Sequence, residues 1–73
     1  MDEQALKEHL LRENADFRRA HDEHLACEEA LQGIRGKAHL TPADADEERE
    51  LKKRKLALKD RMYRLMADYA RTR

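Results

Sequence analysis

The chain has 73 residues, 44% of them charged and 4% aromatic, with no Trp, one Pro and one Cys. That length allows a single small domain spanning residues 1–73, and a composition rich in Ala, Glu, Lys, Leu and Arg is that of long helices and coiled coils. The lone Cys27 excludes an internal disulfide and suits a reducing compartment. The longest apolar runs, such as Leu25-Ala26-Cys27 and Leu56-Ala57-Leu58, are far too short to span a bilayer. The start, Met1-Asp2-Glu3-Gln4, lacks the basic and apolar stretches of a signal peptide, so the expected location is the cytoplasm.

The first helix is expected over about residues 3–35. Inside it, Asn14-Ala15-Asp16-Phe17 reads as a weaker second start, with Asn14 as a cap and Asp16 favouring the dipole. Either one kinked rod results, or a short N-terminal segment followed by a longer helix. Gly33 and Gly36 are helix stops by their tolerance of a left-handed backbone, and the turn is expected over about 36–41. Thr41-Pro42-Ala43-Asp44 then opens the second helix, about 42–70. Thr41 can cap, Pro42 suits the first helical position, and Asp44 completes a capping box.

Apolar spacing defines the faces. Leu6, Leu10, Phe17, Ala20, Cys27, Leu31 and Ile34 recur in threes and fours with Glu13 and His24 filling the gaps, and so do Leu51, Leu58, Met62, Leu65 and Tyr69 with Glu48 and Lys55 in two slots. This is the repeat of helices that wrap around each other. A short connection makes them antiparallel neighbours, so the expected fold is all-α, a two-helix hairpin with coiled-coil-like packing. Its core would hold Phe17, Cys27, Leu31, Leu51, Leu58, Met62 and Leu65. With Ile34 near the turn, Leu31 meets Glu48, Cys27 meets Leu51, His24 meets Lys55, Ala20 meets Leu58 and Phe17 meets Met62. The polar layer is therefore His24 and Lys55, with Glu28 one turn from His24 on the same face.

Apolar residues are left over beside these stripes. Leu25, Leu56, Tyr63 and Met66 would remain exposed on one hairpin, which makes them a candidate surface for self-association, a dimer being favoured. Charge is unevenly spread: residues 1–32 carry nine acids and four bases, residues 42–73 ten bases and seven acids. Opposite halves favour antiparallel pairing.

Two stretches resemble a known family. Lys52-Lys53-Arg54-Lys55-Leu56-Ala57-Leu58-Lys59-Asp60 is similar to the "KKxKLxLKD" signature of the YdcH-like small bacterial proteins, a family of unknown function. Leu6-Lys7 through Glu13-Asn14, then Phe17, His24, Glu28 and Leu31, resembles that family's upstream pattern. Ala15, Cys27 and Glu28 depart from it, standing where Pro, Leu and Asp are usual. The resemblance implies a cytoplasmic helical hairpin, coiled-coil-like association and no established catalytic activity. Some members carry a nucleotide-binding label.

The residues themselves argue against such chemistry. Gly33-Ile34-Arg35-Gly36-Lys37-Ala38 has its glycines too close for a phosphate loop, no preceding strand, and Ala38 where a hydroxyl must hold magnesium. His21, His24, Cys27 and Glu28 include metal-ligand types, but the facing helix offers Lys55 instead of a further ligand. No cofactor or metal is expected. His9 and His39 read as solvent-facing. Without a nucleophile–base–acid set or a concave cleft, the chain is not expected to be an enzyme. The leading expectation is a small interaction or adaptor module that self-associates. The alternative is a weak binder of nucleic acid or an acidic partner through Arg49, Lys52, Lys53, Arg54 and Lys59.

Overall fold

The computed structural model describes residues 2–72 as three helices with no strand: α1 (Glu3–Glu13), α2 (Ala15–Arg35) and α3 (Pro42–Arg71). Met1 and Arg73, the ends of the expected 1–73 unit, lie outside the described residues. The hairpin is α2 packed along α3. The two-helix count is corrected to three: of the two alternatives at Asn14, the chain takes the short N-terminal segment followed by a longer helix.

Asn14 has an extended backbone (φ −122°, ψ 110°), and its side-chain oxygen accepts the Phe17 N–H at 2.9 Å. No proline is needed for the break, because that oxygen satisfies one of the unpaired donors that open α2. Arg18 reaches back across the bend, where its Nε donates to the Leu11 carbonyl at 3.1 Å. One of the orphan acceptors ending α1 is thereby filled. A straight helix would hold Lys7 about 25 Å from His24, yet both line one cavity. The first helix is folded back onto the hairpin.

This fold-back changes the core. Leu10, Phe17 and Met66 form one buried cluster, with Leu6, Leu11, Met62, Leu65 and Tyr69 packed on it. Met66, expected on the association surface, is only 7% exposed. Leu10 joins it in the cluster, so that expectation is corrected. The reading of His9 as solvent-facing is corrected too. It is half-buried, and its Nε2 shares a 2.9 Å hydrogen bond with the Tyr69 hydroxyl, the donor being set by the imidazole tautomer.

A second buried cluster, Ala20, Cys27 and Leu58, continues the seam with Leu51 and Met62 against it, and Leu31 and Ile34 are buried nearer the turn. Of the expected core, Phe17, Cys27, Leu31 and Leu58 are buried, while Leu51, Met62 and Leu65 stay half-buried. The molecule is a rod of 49 × 19 × 16 Å with a radius of gyration of 15.1 Å. A compact chain of this length would have a radius near 11 Å. So thin a body buries one apolar layer.

At the turn, Gly33 does not stop the helix: α2 runs on to Arg35, and Gly36 caps it at φ −78°, a right-handed conformation. Neither glycine has positive φ, so the left-handed stop expected here is absent. The start of α3 carries the full capping box. The Asp44 N–H donates to Thr41 Oγ1 at 3.1 Å, and the Thr41 N–H donates to Asp44 Oδ2 at 3.0 Å. Asp44 Oδ1 also accepts from Lys37 Nζ at 2.7 Å, closing the turn with an ion pair. The Lys37 hydrogen bond and the capping box hold the Asp44 carboxyl at about 2, below its ordinary 3.8.

Two outcomes follow from this turn. A Cβ at Gly33 would meet nothing within 4 Å, so Gly33→Ala should raise stability by about 1 kcal/mol through helix propensity. Thermal melts would show it, and an unchanged or lower Tm would contradict the helical placement. Because the folded carboxyl of Asp44 is depressed, its contribution is complete above the ordinary value of 3.8 and is lost as pH falls through about 2. Acid melts should therefore weaken across that window, with a flatter profile in Asp44→Asn.

Candidate interaction surface

The seam of α2 and α3 leaves a groove on each side. One is lined by Leu31, Arg35, Lys52, Lys55, Leu56 and Lys59, with a volume of about 230 Å³. Lys59 also borders the neighbouring cavity under α1, lined by Lys7, His24, Met62, Tyr63 and Met66. On α3 the residues Lys52, Leu56, Lys59 and Tyr63 follow helical spacing, which puts them on one stripe. Leu25 lies one turn before Glu28 on α2, on the side where Glu28 meets Lys55. Leu25, Leu56 and Tyr63 are 43%, 61% and 45% exposed. Leu40 in the turn is exposed as well; it lies outside both stripes, so periodicity gives no signal for it.

The opposite groove is lined by Glu23, Ala26, Cys27, Leu51 and Arg54. Arg54 and Leu56, two residues apart, are separated by roughly 200° around the helix. The bases expected to form one binding face are thus divided. Lys52 and Lys59 border one groove and Arg54 the other. Several are also held by carboxylates a turn earlier: Arg49 by Asp46 at 3.2 Å, Lys52 by Glu48 at 3.6 Å and Lys53 by Glu50 at 3.7 Å. Glu48 additionally meets Arg35 across the seam at 3.8 Å. The glycine-flanked Lys37 is likewise engaged with Asp44.

The polar layer shows a direct ion pair. Lys55 Nζ sits 3.0 Å from Glu28 Oε1, with both side chains partly exposed. The hydrogen bond from Lys55 and its charge lower the Glu28 carboxyl below its ordinary value. His24 lies beside this pair without joining it through Nε2, which is buried and has no hydrogen-bond partner among the described residues. Burial lowers the His24 pKa from its ordinary 6.5; Glu28 opposes the shift, and Lys55, Lys59 and His21 reinforce it. Among the described residues, no three His, Cys, Asp or Glu side chains are grouped so as to hold a metal ion. Among them, too, no helix is long and apolar enough to cross a membrane.

A pair this exposed is screened by solvent and salt, and its role is measurable by a double-mutant cycle. Glu28→Ala should lower the Tm of the native chain but have little effect in a Lys55→Met background. The difference should shrink at about 1 M salt. An equal drop in both backgrounds would leave Lys55 reaching water by itself, its stem packed on the seam.

No curated protein and no solved structure is detectably similar to the chain. A protein-family model does match, over residues 17–66, under the description "Protein of unknown function (DUF465)". The matched stretch runs from the buried Phe17 to the buried Met66, covering the α2–α3 seam and the lysine-rich stripe. The YdcH-like resemblance agrees with it. More than half the chain lies inside the match, and the chain belongs to this family of unknown function, DUF465.

Proposed function

We propose that the chain is a small non-catalytic interaction module that self-associates through the Leu25, Leu56 and Tyr63 side of the hairpin. The observation that carries this reading is that Leu25, Leu56 and Tyr63 stay exposed on a thin body, Leu56 and Tyr63 sharing one stripe of α3. Burying them against a second copy removes apolar surface from water at about 25 cal/mol per Å². The flanking cations Lys52 and Lys59 and the acidic outer residues Asp22 and Glu29 of α2 supply opposite charge for pairing between copies. A dimer working as an adaptor in the cytoplasm fits these features, and the free thiol of Cys27, buried in the core, suits a reducing interior.

A second reading rests on the groove lined by Arg35, Lys52, Lys55 and Lys59 around Leu31 and Leu56. It would suit an acidic partner. Nucleic acid is the weaker form of this reading, because several bases already face carboxylates and the rest are split between two sides. Retardation of nucleic acid across a salt series separates the cases, since phosphate contacts give a steep salt slope.

Light scattering on a gel-filtered sample should give at least twice the 8.6 kDa chain mass at micromolar concentration. Leu25→Glu with Leu56→Glu should yield a monomer of unchanged helicity by circular dichroism. A native chain that runs as an 8.6 kDa monomer would refute self-association.

A further inference from the structure

We infer that the cavity beneath α1 is a binding site for a small oxyanion, a phosphate or carboxylate group. Each of the three helices supplies one basic side chain to it: Lys7 from α1, His24 from α2 and Lys59 from α3. Met62, Met66 and Tyr63 complete the lining, and the volume is about 80 Å³. That space suits a compact anionic group and is too small for a nucleotide or a drug-sized ligand.

The chemistry is one-sided. Two ammonium groups and an imidazole line the cavity, and among the described residues no carboxylate does. Among the described residues, the ion pair of Lys7 is a long contact to Glu3, at 3.8 Å. The Nε2 of His24 is buried without a partner among the described residues. An unpaired buried polar group is costly, and native structures pair such groups with protein, water or ligand. An oxyanion accepts from an Nε2–H and from both lysines at once, in charge-assisted hydrogen bonds. The apolar floor lowers the local dielectric and strengthens each of them.

The site also predicts a proton linkage. Facing His24 are Glu28, Lys55, Lys59 and His21, besides Lys7 and Tyr63 in the cavity wall. Burial and the neighbouring lysines disfavour the imidazolium of the free site. A bound anion favours the imidazolium, so it raises the His24 pKa, and binding tightens as pH falls through that titration.

The test is a titration of the full chain with inorganic phosphate and, separately, acetate, followed by imidazole ¹⁵N and lysine NMR signals. Because Tyr63 also borders the association surface, it is repeated in the Leu25→Glu, Leu56→Glu variant, so that failure of self-association is not mistaken for failure of the site. The expected result is a saturable change at His24 in both backgrounds, with dissociation constants in the millimolar range. Lys7→Gln with Lys59→Gln should weaken it about tenfold or more, and Lys53→Gln should not. Saturation by phosphate alone assigns a tetrahedral oxyanion, and saturation by acetate assigns a carboxylate. Linear, unsaturable shifts with both anions, or equal responses in the Lys7, Lys59 double variant, overturn the proposal.

Discussion

Much of this structure depends on one residue leaving the helical backbone. With Asn14 extended and its side chain capping Phe17, α1 turns back onto the hairpin instead of extending it. Leu10 then covers Phe17 and Met66, His9 reaches Tyr69, and Lys7 comes to line a cavity with His24. A continuous helix would leave Leu10 and Met66 facing water and would carry Lys7 away from Lys59. The cap contributes on the order of 1 kcal/mol, but the contacts it permits close one end of the core.

The opposite end is closed by charge and caps. Asp44 serves two partners, the Thr41 backbone and the Lys37 ammonium, so the turn and the first turn of α3 are fixed together. Between the ends, the seam tolerates a polar layer because Lys55 and Glu28 neutralise one another at its edge. The buried Nε2 of His24 gains no such partner among the described residues. Burial and nearby lysines lower its pKa. Among the described residues, the interior is thus satisfied at both ends and under-satisfied at the His24 imidazole.

The distribution of bases bears on function. Residues that look like a basic run in sequence are spread around α3 by the 100° step of the helix. Some border the groove beside Leu56, Arg54 borders the other, and Arg49, Lys52 and Lys53 are paired along the helix with acids one turn earlier. A continuous cationic stripe of the kind that tracks a phosphate backbone does not result. What results instead is a pair of grooves of mixed cationic and apolar lining, both within the stretch shared with the family of unknown function.

The sequence by itself determined the all-helical class, the antiparallel seam with its register, and the start of α3. Each is local: apolar spacing of three and four, a short connection, and a Thr-Pro-x-Asp cap can be read without knowing what lies elsewhere. The pairing of Lys55 with the layer of His24 and Glu28 came from the same register. The tertiary structure decided the rest. Whether Asn14 breaks the chain depends on whether Leu10 finds a surface to cover, so Met66 and His9 could not be placed from periodicity alone. Gly33 is held within α2 by the buried neighbours Leu31 and Ile34, which outweigh the glycine's own reluctance toward helix. The cavity joining Lys7, His24 and Lys59 draws on three helices separated widely in sequence. No spacing rule connects such residues, because only the fold-back of α1 brings them together.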